Sequence, residues 1–429
     1  MTIDTAKIAQ DIERFNQVLS PERLKSLARE HGADDQRERR LTLVPFFWIM
    51  ILIHSYWLHF GGLGQAVSLF CVVSATVLGQ AVSLTRMAIS KQIKRRSWPF
   101  FQAVLSHLTA QYPDQVPSLV ARLEPRLKDW RLVDSTVLDL ARRLRRHFKS
   151  TVKGKAQLKL HIVSSAGSGL LQQVHTTAQK CNDKAVKFVN KTKALLYIFD
   201  LGYWAYPLLD AIIERESFFV SRRRSDCDPL IVAAEKKSWV GKTVSEVLEK
   251  IRGQEFECTV KLAKWRANPM KHEVRLVGCK DHGRWHLYVT NLTASVFRPR
   301  CIAQIYASRW QIELLFNQLK PVINLDHLFS RTVQGIQVEI FVALIYYTMT
   351  RLVMALAAKQ TATPIEQFSF IRSFRIVREL LNHSLSVLDK TKPWDITATI
   401  TTMVALVILN GRKDKYYIQH HIAKLAWGT

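Results

Sequence analysis

Tyr306, Arg309, Glu313 and Lys320 stand at positions i, i+3, i+7 and i+14 of one continuous stretch, Tyr306-Ala-Ser-Arg-Trp-Gln-Ile-Glu-Leu-Leu-Phe-Asn-Gln-Leu-Lys320. Those offsets are close to whole turns of an α-helix, so one face would carry a phenol, a carboxylate and two cations. Ile312, Leu315, Phe316 and Leu319 supply the apolar stripe that seats such a helix on a core. A carboxylate flanked by cations suits holding a divalent metal beside a phosphodiester; a solvated charged stripe would show the same residues. Two further carboxylates close apolar runs, Trp130-Arg-Leu-Val-Asp134 and Leu195-Leu-Tyr-Ile-Phe-Asp200, each reading as a buried strand that delivers an acid at its end. Three carboxylates from distant segments are what two-metal phosphoryl chemistry requires, with the ions held about 3.5–4 Å apart. Hard oxygen donors select two Mg2+ or Mn2+ ions. The six cysteines show no CxxC and no paired Cys/His spacing, which argues against zinc and against a disulfide framework. Taken singly, an Asp at a strand end is more often a turn or cap residue, and Asp139 stands close to Asp134 as a rival. The weight lies on the trio.

The elements that must position this trio follow from periodicity. Leu158–Ser164 and Leu170–Thr176 alternate like paired strands around a Ser165–Gly169 turn. Ala185–Thr192 reads as a short helix, Tyr206–Arg215 as a helix and Ser217–Ser221 as a strand. The resulting order, β-β-β-α-β-α-β, is that of a ribonuclease-H-like α/β core with Asp134 and Asp200 on neighbouring central strands. Residues 225–295 turn strand-rich and contain Trp239, Trp265 and Trp285, while Val338–Ala358 reads as a mostly apolar helix. The expected organisation is a helical DNA-binding region at 1–125, core at 126–224, a β-rich insertion at 225–295, core with the Tyr306–Lys320 helix at 296–360, and a helical region at 361–429.

Lys and Arg number 62 against 35 Asp and Glu in 429 residues, a formal charge of +27. So large an excess favours a polyanion, nucleic acid first and an anionic membrane surface second. Arg142, Arg143, Arg145, Arg146 and Lys149 form a dense basic segment just after Asp134, suited to a DNA backbone. Thr85–Arg96 has the look of the second helix of a helix-turn-helix, with Arg86, Lys91, Lys94 and Arg95 available, though a plain basic helix fits as well. His161, on an apparent strand, reads as a structural histidine. Residues 41–84 carry no formal charge with histidine neutral, and the heptapeptide LGQAVSL occurs there twice, at Leu63–Leu69 and Leu78–Leu84. Pro45, His54, His59 and several glycines interrupt that stretch, so it reads as a buried helical core in preference to a membrane hairpin. The amino terminus begins with an acidic, amphipathic pattern and does not read as a signal peptide.

The spacing Y-x2-R-x3-E-x6-K across Tyr306, Arg309, Glu313 and Lys320 resembles the YREK signature of DDE transposases from bacterial insertion sequences. Asp134-Ser-Thr resembles the first catalytic block of that family, Asp200-Leu-Gly-Tyr the second, and Glu313 the third. The resemblance implies a cytoplasmic, nucleoid-associated enzyme that binds terminal inverted repeats as a homodimer. It would use Mg2+ or Mn2+ to cut and transfer DNA strands, by way of a hairpinned end in some relatives. It further implies that Tyr306, Arg309 and Lys320 grip phosphate, joined by Arg222, beside which Arg223 and Arg224 are equally basic. Trp285 falls where some relatives carry a tryptophan that stacks on an extruded base; the alternative is a tryptophan that packs the insertion. A descendant that keeps DNA affinity without cleavage, or a membrane-associated protein resting on residues 41–84, are the competing readings.

Overall fold

The computed structural model describes residues 17–35, 41–56, 84–111, 129–263 and 269–383, together with residues 64, 67, 68, 71 and 116. Three antiparallel strands open the sheet: β1 (Asp129–Leu140), β2 (Ala156–Ser165) and β3 (Leu171–Ala178). β4 (Leu195–Phe199) then pairs with β1 in parallel, and β5 (Phe218–Arg222) pairs with β4 in parallel. A four-stranded antiparallel run follows, β6 (Leu230–Ala234), β7 (Glu255–Lys261), β8 (Val274–Asp281) and β9 (Arg284–Thr290). β9 pairs with β5, so the insertion continues the central sheet and the whole forms nine strands in the order β3-β2-β1-β4-β5-β9-β8-β7-β6. Period-two alternation explains the layering. Leu132, Leu196 and Ile198 face one apolar cluster, and Val133, Tyr197 and Phe199 face the other.

Helices α1 (Pro21–Glu30), α2 (Leu43–Tyr56), α3 (Arg86–Arg95) and α4 (Trp98–Ala110) precede the sheet, with α5 (Tyr206–Glu214) and α6 (Val244–Leu248) within it. α7 (Pro299–Ala307), α8 (Trp310–Asn317), α9 (Val333–Gln360) and α10 (Phe370–His383) follow. Side-chain caps set several starts: Ser20 accepts from Arg23 N, Thr85 from Ala88 N and Thr332 from Gly335 N. α9 is buried on nearly every side, and Trp98 at the start of α4 stacks on its Phe341 with ring centroids 5.6 Å apart. Among the described residues it is the one helix long and apolar enough to cross a membrane, and 94% of its most apolar window is buried inside the protein. α2 is likewise internal, with Leu43, Phe46, Phe47, Trp48 and Ile51 nearly inaccessible. The apolar stretch that begins at residue 41 therefore enters the core where the structure describes it.

Three expectations from the sequence need correction. No helix forms at Ala185–Thr192; a single 3-10 turn spans Asp183–Ala185. The chain stays extended because Phe188 must reach the ring cluster of Tyr197, Phe199 and Tyr203. β1 does not end at Asp134 but runs six residues further to Leu140, paired only with β2. The stretch Tyr306–Lys320 is helical but not one regular α-helix: α7 ends at Ala307, Ser308 and Arg309 form a tighter turn that keeps helical backbone angles, α8 begins at Trp310, and a π-helical turn at Gln318–Val322 accommodates Pro321. Most of the LGQAVSL duplication, Trp265, the chain before residue 17 and the chain after residue 383 lie outside the described residues.

Candidate active site

The parallel ladder between β1 and β4 ends at the pair Val133–Phe199. Asp134 and Asp200 are the next residues on each strand, so they emerge side by side where the ladder stops. Both share the alternation of Leu132 and Ile198, which directs them to the face covered by α8. Glu313 comes from α8 itself, whose Ile312, Leu315 and Phe316 are buried against that same face.

Arg309 ties the group together. Its Nη1 lies 3.2 Å from Asp134 Oδ2 and its Nη2 lies 2.5 Å from Glu313 Oε1, with the guanidinium 21% exposed. The sequence reading gave Arg309 to phosphate; in the structure it lies between two of the carboxylates. The i,i+4 spacing of Arg309 and Glu313 is a helical ion-pair signal that could have revealed this. Among the described residues, no trio of His, Cys, Asp or Glu side chains is grouped closely enough to hold a metal ion. The guanidinium of Arg309 stands between Asp134 and Glu313 instead.

The electrostatics mark Asp134 as the strained member. Burial raises its carboxyl to about 6, the Ser135 amide and Arg309 pull it back, and the charges of Asp200 and Glu313 push it up again. Its Oδ1 accepts from Ser135 N at 2.7 Å. Burial, reinforced by the charge of Asp200, pushes the Tyr306 phenol up to about 12. Tyr306 is therefore neutral, buried and edge-tilted on Tyr288 at 5.2 Å.

Lys320 is turned inward. Its Nζ donates to Val137 O at 3.0 Å, satisfying a carbonyl on the part of β1 that β4 leaves unpaired. Arg222 ends β5 exposed, opposite Tyr288 and in register with Asp200, and makes one long contact to His286 at 3.5 Å. Trp285 shares the alternation of Leu287 and Val289 and so faces away from Tyr288 and Tyr306. There it packs edge-on against Phe256 with centroids 5.1 Å apart, under the Lys280 ammonium. The packing alternative fits that placement better than a stacking platform. Asp139 points to the opposite face from Asp134, where it accepts from Gln157 at 2.7 Å, and drops out as a rival.

Arg142, Arg143, Arg145 and Arg146 occupy an exposed 3-10 turn anchored by buried Leu144. None of the four has an acidic partner among the described residues; Arg143 donates to Arg331 O at 2.9 Å. Lys91 is exposed on α3, whose Ile89, Gln92 and Ile93 are buried on the other side. The segment that would supply the first helix of a helix-turn-helix lies largely outside the described residues.

The sequence reading missed the support behind the acids. Tyr203 is buried, hydrogen-bonds Ser135 and lies 2.8 Å from His161 Nδ1, while His161 Nε2 lies 2.9 Å from Thr177 Oγ1. Burial lowers His161 to about 4, so it is a neutral strut. The network clamps the turn Leu201–Tyr203, whose N-cap is Asp200, onto β1 and β2. A Cβ at Gly202 would stand 3.0 Å from Asp183 Oδ2, so any larger residue there requires that carboxylate to give way by a few tenths of an ångström. The block Asp200-Leu-Gly-Tyr203 carried the signal, but only its acid invites a chemical role when read as sequence.

Comparison with known proteins gives a consistent picture. The transposase DDE domain matches residues 125–349. The putative transposase y4zB of Sinorhizobium fredii is 27% identical over 241 residues, 56% of this chain and 64% of that protein. The probable transposase for insertion sequence element IS5377 of Geobacillus stearothermophilus is 28% identical over 250 residues, 58% of this chain and 62% of that protein. The match thus spans just under two thirds of each. The transposase for insertion sequence element IS231F of Bacillus thuringiensis subsp. israelensis is 23% identical over 461 residues, 95% of this chain and 92% of that protein. Among solved structures, the piggyBac transposase synaptic complex with hairpin DNA has a TM-score of 0.45 at 10% identity, over 94% of this chain and 86% of that one. That likeness is too distant to argue from.

Proposed function

The chain belongs to the DDE transposase family, whose domain matches just over half of it, and we propose that it cuts and rejoins DNA at the ends of an insertion sequence. The single observation that supports this most is the meeting of Asp134 and Asp200 at the end of the β1–β4 ladder beneath Glu313. The strand order on the β1–β5 side agrees with a ribonuclease-H-like core. The donor chemistry suits a divalent cation, with oxygen donors only from three carboxylates, one of them raised to about 6 by burial and like charge; with Arg309 between Asp134 and Glu313 the three are not grouped closely enough to hold one. Asp134, Asp200 and Glu313 would hold Mg2+ or Mn2+, as two ions if the family pattern applies. Such ions supply stabilisation of charge on the attacking and leaving oxygens.

The chain's own groups do the rest. Water attacks the phosphorus, the bond to O3′ breaks, and the freed 3′-hydroxyl later attacks a second phosphodiester. Arg222, exposed in register with Asp200, would steady a phosphate oxygen near the reacting group. β1 carries the basic turn away from Asp134: eight residues at about 3.3 Å each put Arg142 roughly 26 Å out, about eight base pairs along a duplex. Arg142, Arg143, Arg145 and Arg146 would then hold the flanking backbone, with exposed Lys91 as a further contact. Two protomers acting on paired ends, in the cytoplasm of a bacterium, complete the proposal.

The test is Glu313→Ala in a cleavage assay on DNA bearing the inverted repeats that flank the reading frame. Nicking in Mg2+ or Mn2+ should fall on the order of 10^3-fold or more while end binding stays within about twofold. A variant that nicks at the wild-type rate removes Glu313 from the site and the mechanism with it.

A further inference from the structure

Arg309 makes its two contacts to Asp134 Oδ2 and Glu313 Oε1, two of the oxygens that a divalent cation would need. We propose that Arg309 is an internal counter-ion that keeps divalent cations off Asp134 and Glu313 until a DNA phosphate draws its guanidinium away. The proposal rests on the metal reading of the preceding section and adds a regulatory step to it.

Three features carry it. A guanidinium cannot lose its proton in a protein, so it leaves the carboxylates only by moving. A metal ion bound to those oxygens would stand within about 4 Å of a like charge, so the two occupants exclude each other. Arg309 also sits in the turn between α7 and α8, and its side chain reaches solvent at its edge. From there a single phosphate can take in bidentate fashion the two guanidinium nitrogens that two separate carboxylates now hold. Metal binding and DNA binding thereby become coupled. By linkage, each must raise the affinity of the other by the same factor.

The closed pair lowers the apparent metal affinity by the fraction of molecules in which it is open. A gate that is open about one tenth of the time gives a tenfold effect. The experiment titrates Mn2+, followed by the electron paramagnetic resonance of the free ion, into the full-length chain. Wild type, Arg309→Gln, Arg309→Lys and Glu313→Gln are compared with and without a duplex carrying the flanking inverted repeat. Melting curves verify that each variant is folded. Wild type should gain about tenfold in Mn2+ affinity from the duplex. Arg309→Gln should show the higher affinity already without DNA and gain nothing from it. Arg309→Lys, which keeps the charge but cannot span both acids, should fall between, and it carries the test if the Gln variant does not fold. Equal Mn2+ affinity in all Arg309 forms, or a duplex that leaves wild type unchanged, overturns the gate. Mn2+ binding that is absent from every form, or unaffected by Glu313→Gln, overturns the metal reading instead.

Discussion

Asp134→Asn should stabilise the folded protein while abolishing cleavage. Burial and two neighbouring acids lift the carboxyl from 3.8 to about 6, net of what Arg309 and the Ser135 amide return. Two pH units of upward shift correspond to about 3 kcal/mol of penalty on the ionised form. The carboxylate is 21% exposed, so solvent screening takes little of that away. The sign follows from proton counting. Between about pH 3.8 and 6 the native state binds more protons at this site than the unfolded chain, so stability falls as pH rises through that window and is level above it. The stabilisation conferred by Asn should accordingly be about half developed near pH 5 and reach about 3 kcal/mol by pH 8. Asn keeps an oxygen for the Ser135 amide, so the local hydrogen bond survives. The measurement is denaturant unfolding of both proteins at the two pH values, because in a chain this long about 3 kcal/mol moves Tm by only about 3 °C. A variant no more stable than wild type at pH 8, or a difference that does not change with pH, refutes the claim that Asp134 is held against its own charge.

Lys320→Ala should act on the fold before it acts on DNA: losing the bond to Val137 O costs about 1–3 kcal/mol in unfolding assays. An unchanged stability with a salt slope reduced by about one phosphate would return Lys320 to the DNA. Trp285→Ala should lower stability by about 3 kcal/mol or less, since the ring is only partly buried against Phe256. It should slow every resolved DNA step equally; a defect confined to one late step in a timed cleavage assay would overturn the packing role.

Which parts of this molecule a sequence can reveal depends on how local the cause is. Strands β2, β3 and β5, and the helix α9, rest on period and apolar content, and they form where those signals stand. The adjacency of Asp134 and Asp200 was also readable, because two apolar runs each closing on an acid imply neighbouring strands. The end of β1 was not readable. Asp134 sits mid-strand, and what stops at that point is its pairing with β4, set by the short length of a different segment. The absent helix at residues 185–192 has the same kind of cause, since Phe188 is drawn to rings from β4 and the turn after it.

The site divides along the same line, with a consequence for how its cations are read. Spacing gave Arg309, Glu313 and Lys320 a common face, and the family resemblance left both cations to the DNA. The hydrogen-bond pattern tightens at Ser308–Arg309 and widens to a π-turn from Gln318, so the three do not share one regular α-helix. Each cation instead satisfies the nearest local demand, Arg309 a pair of half-buried carboxylates and Lys320 a carbonyl that its strand leaves unpaired. Those demands differ in what DNA can change. A phosphate can replace the carboxylates as partner to Arg309, and a bound cation can replace Arg309 as partner to the carboxylates. Nothing that DNA brings replaces Lys320 at Val137 O. Of the two, Arg309 is therefore the residue whose position should depend on substrate, and Lys320 the one whose position should not.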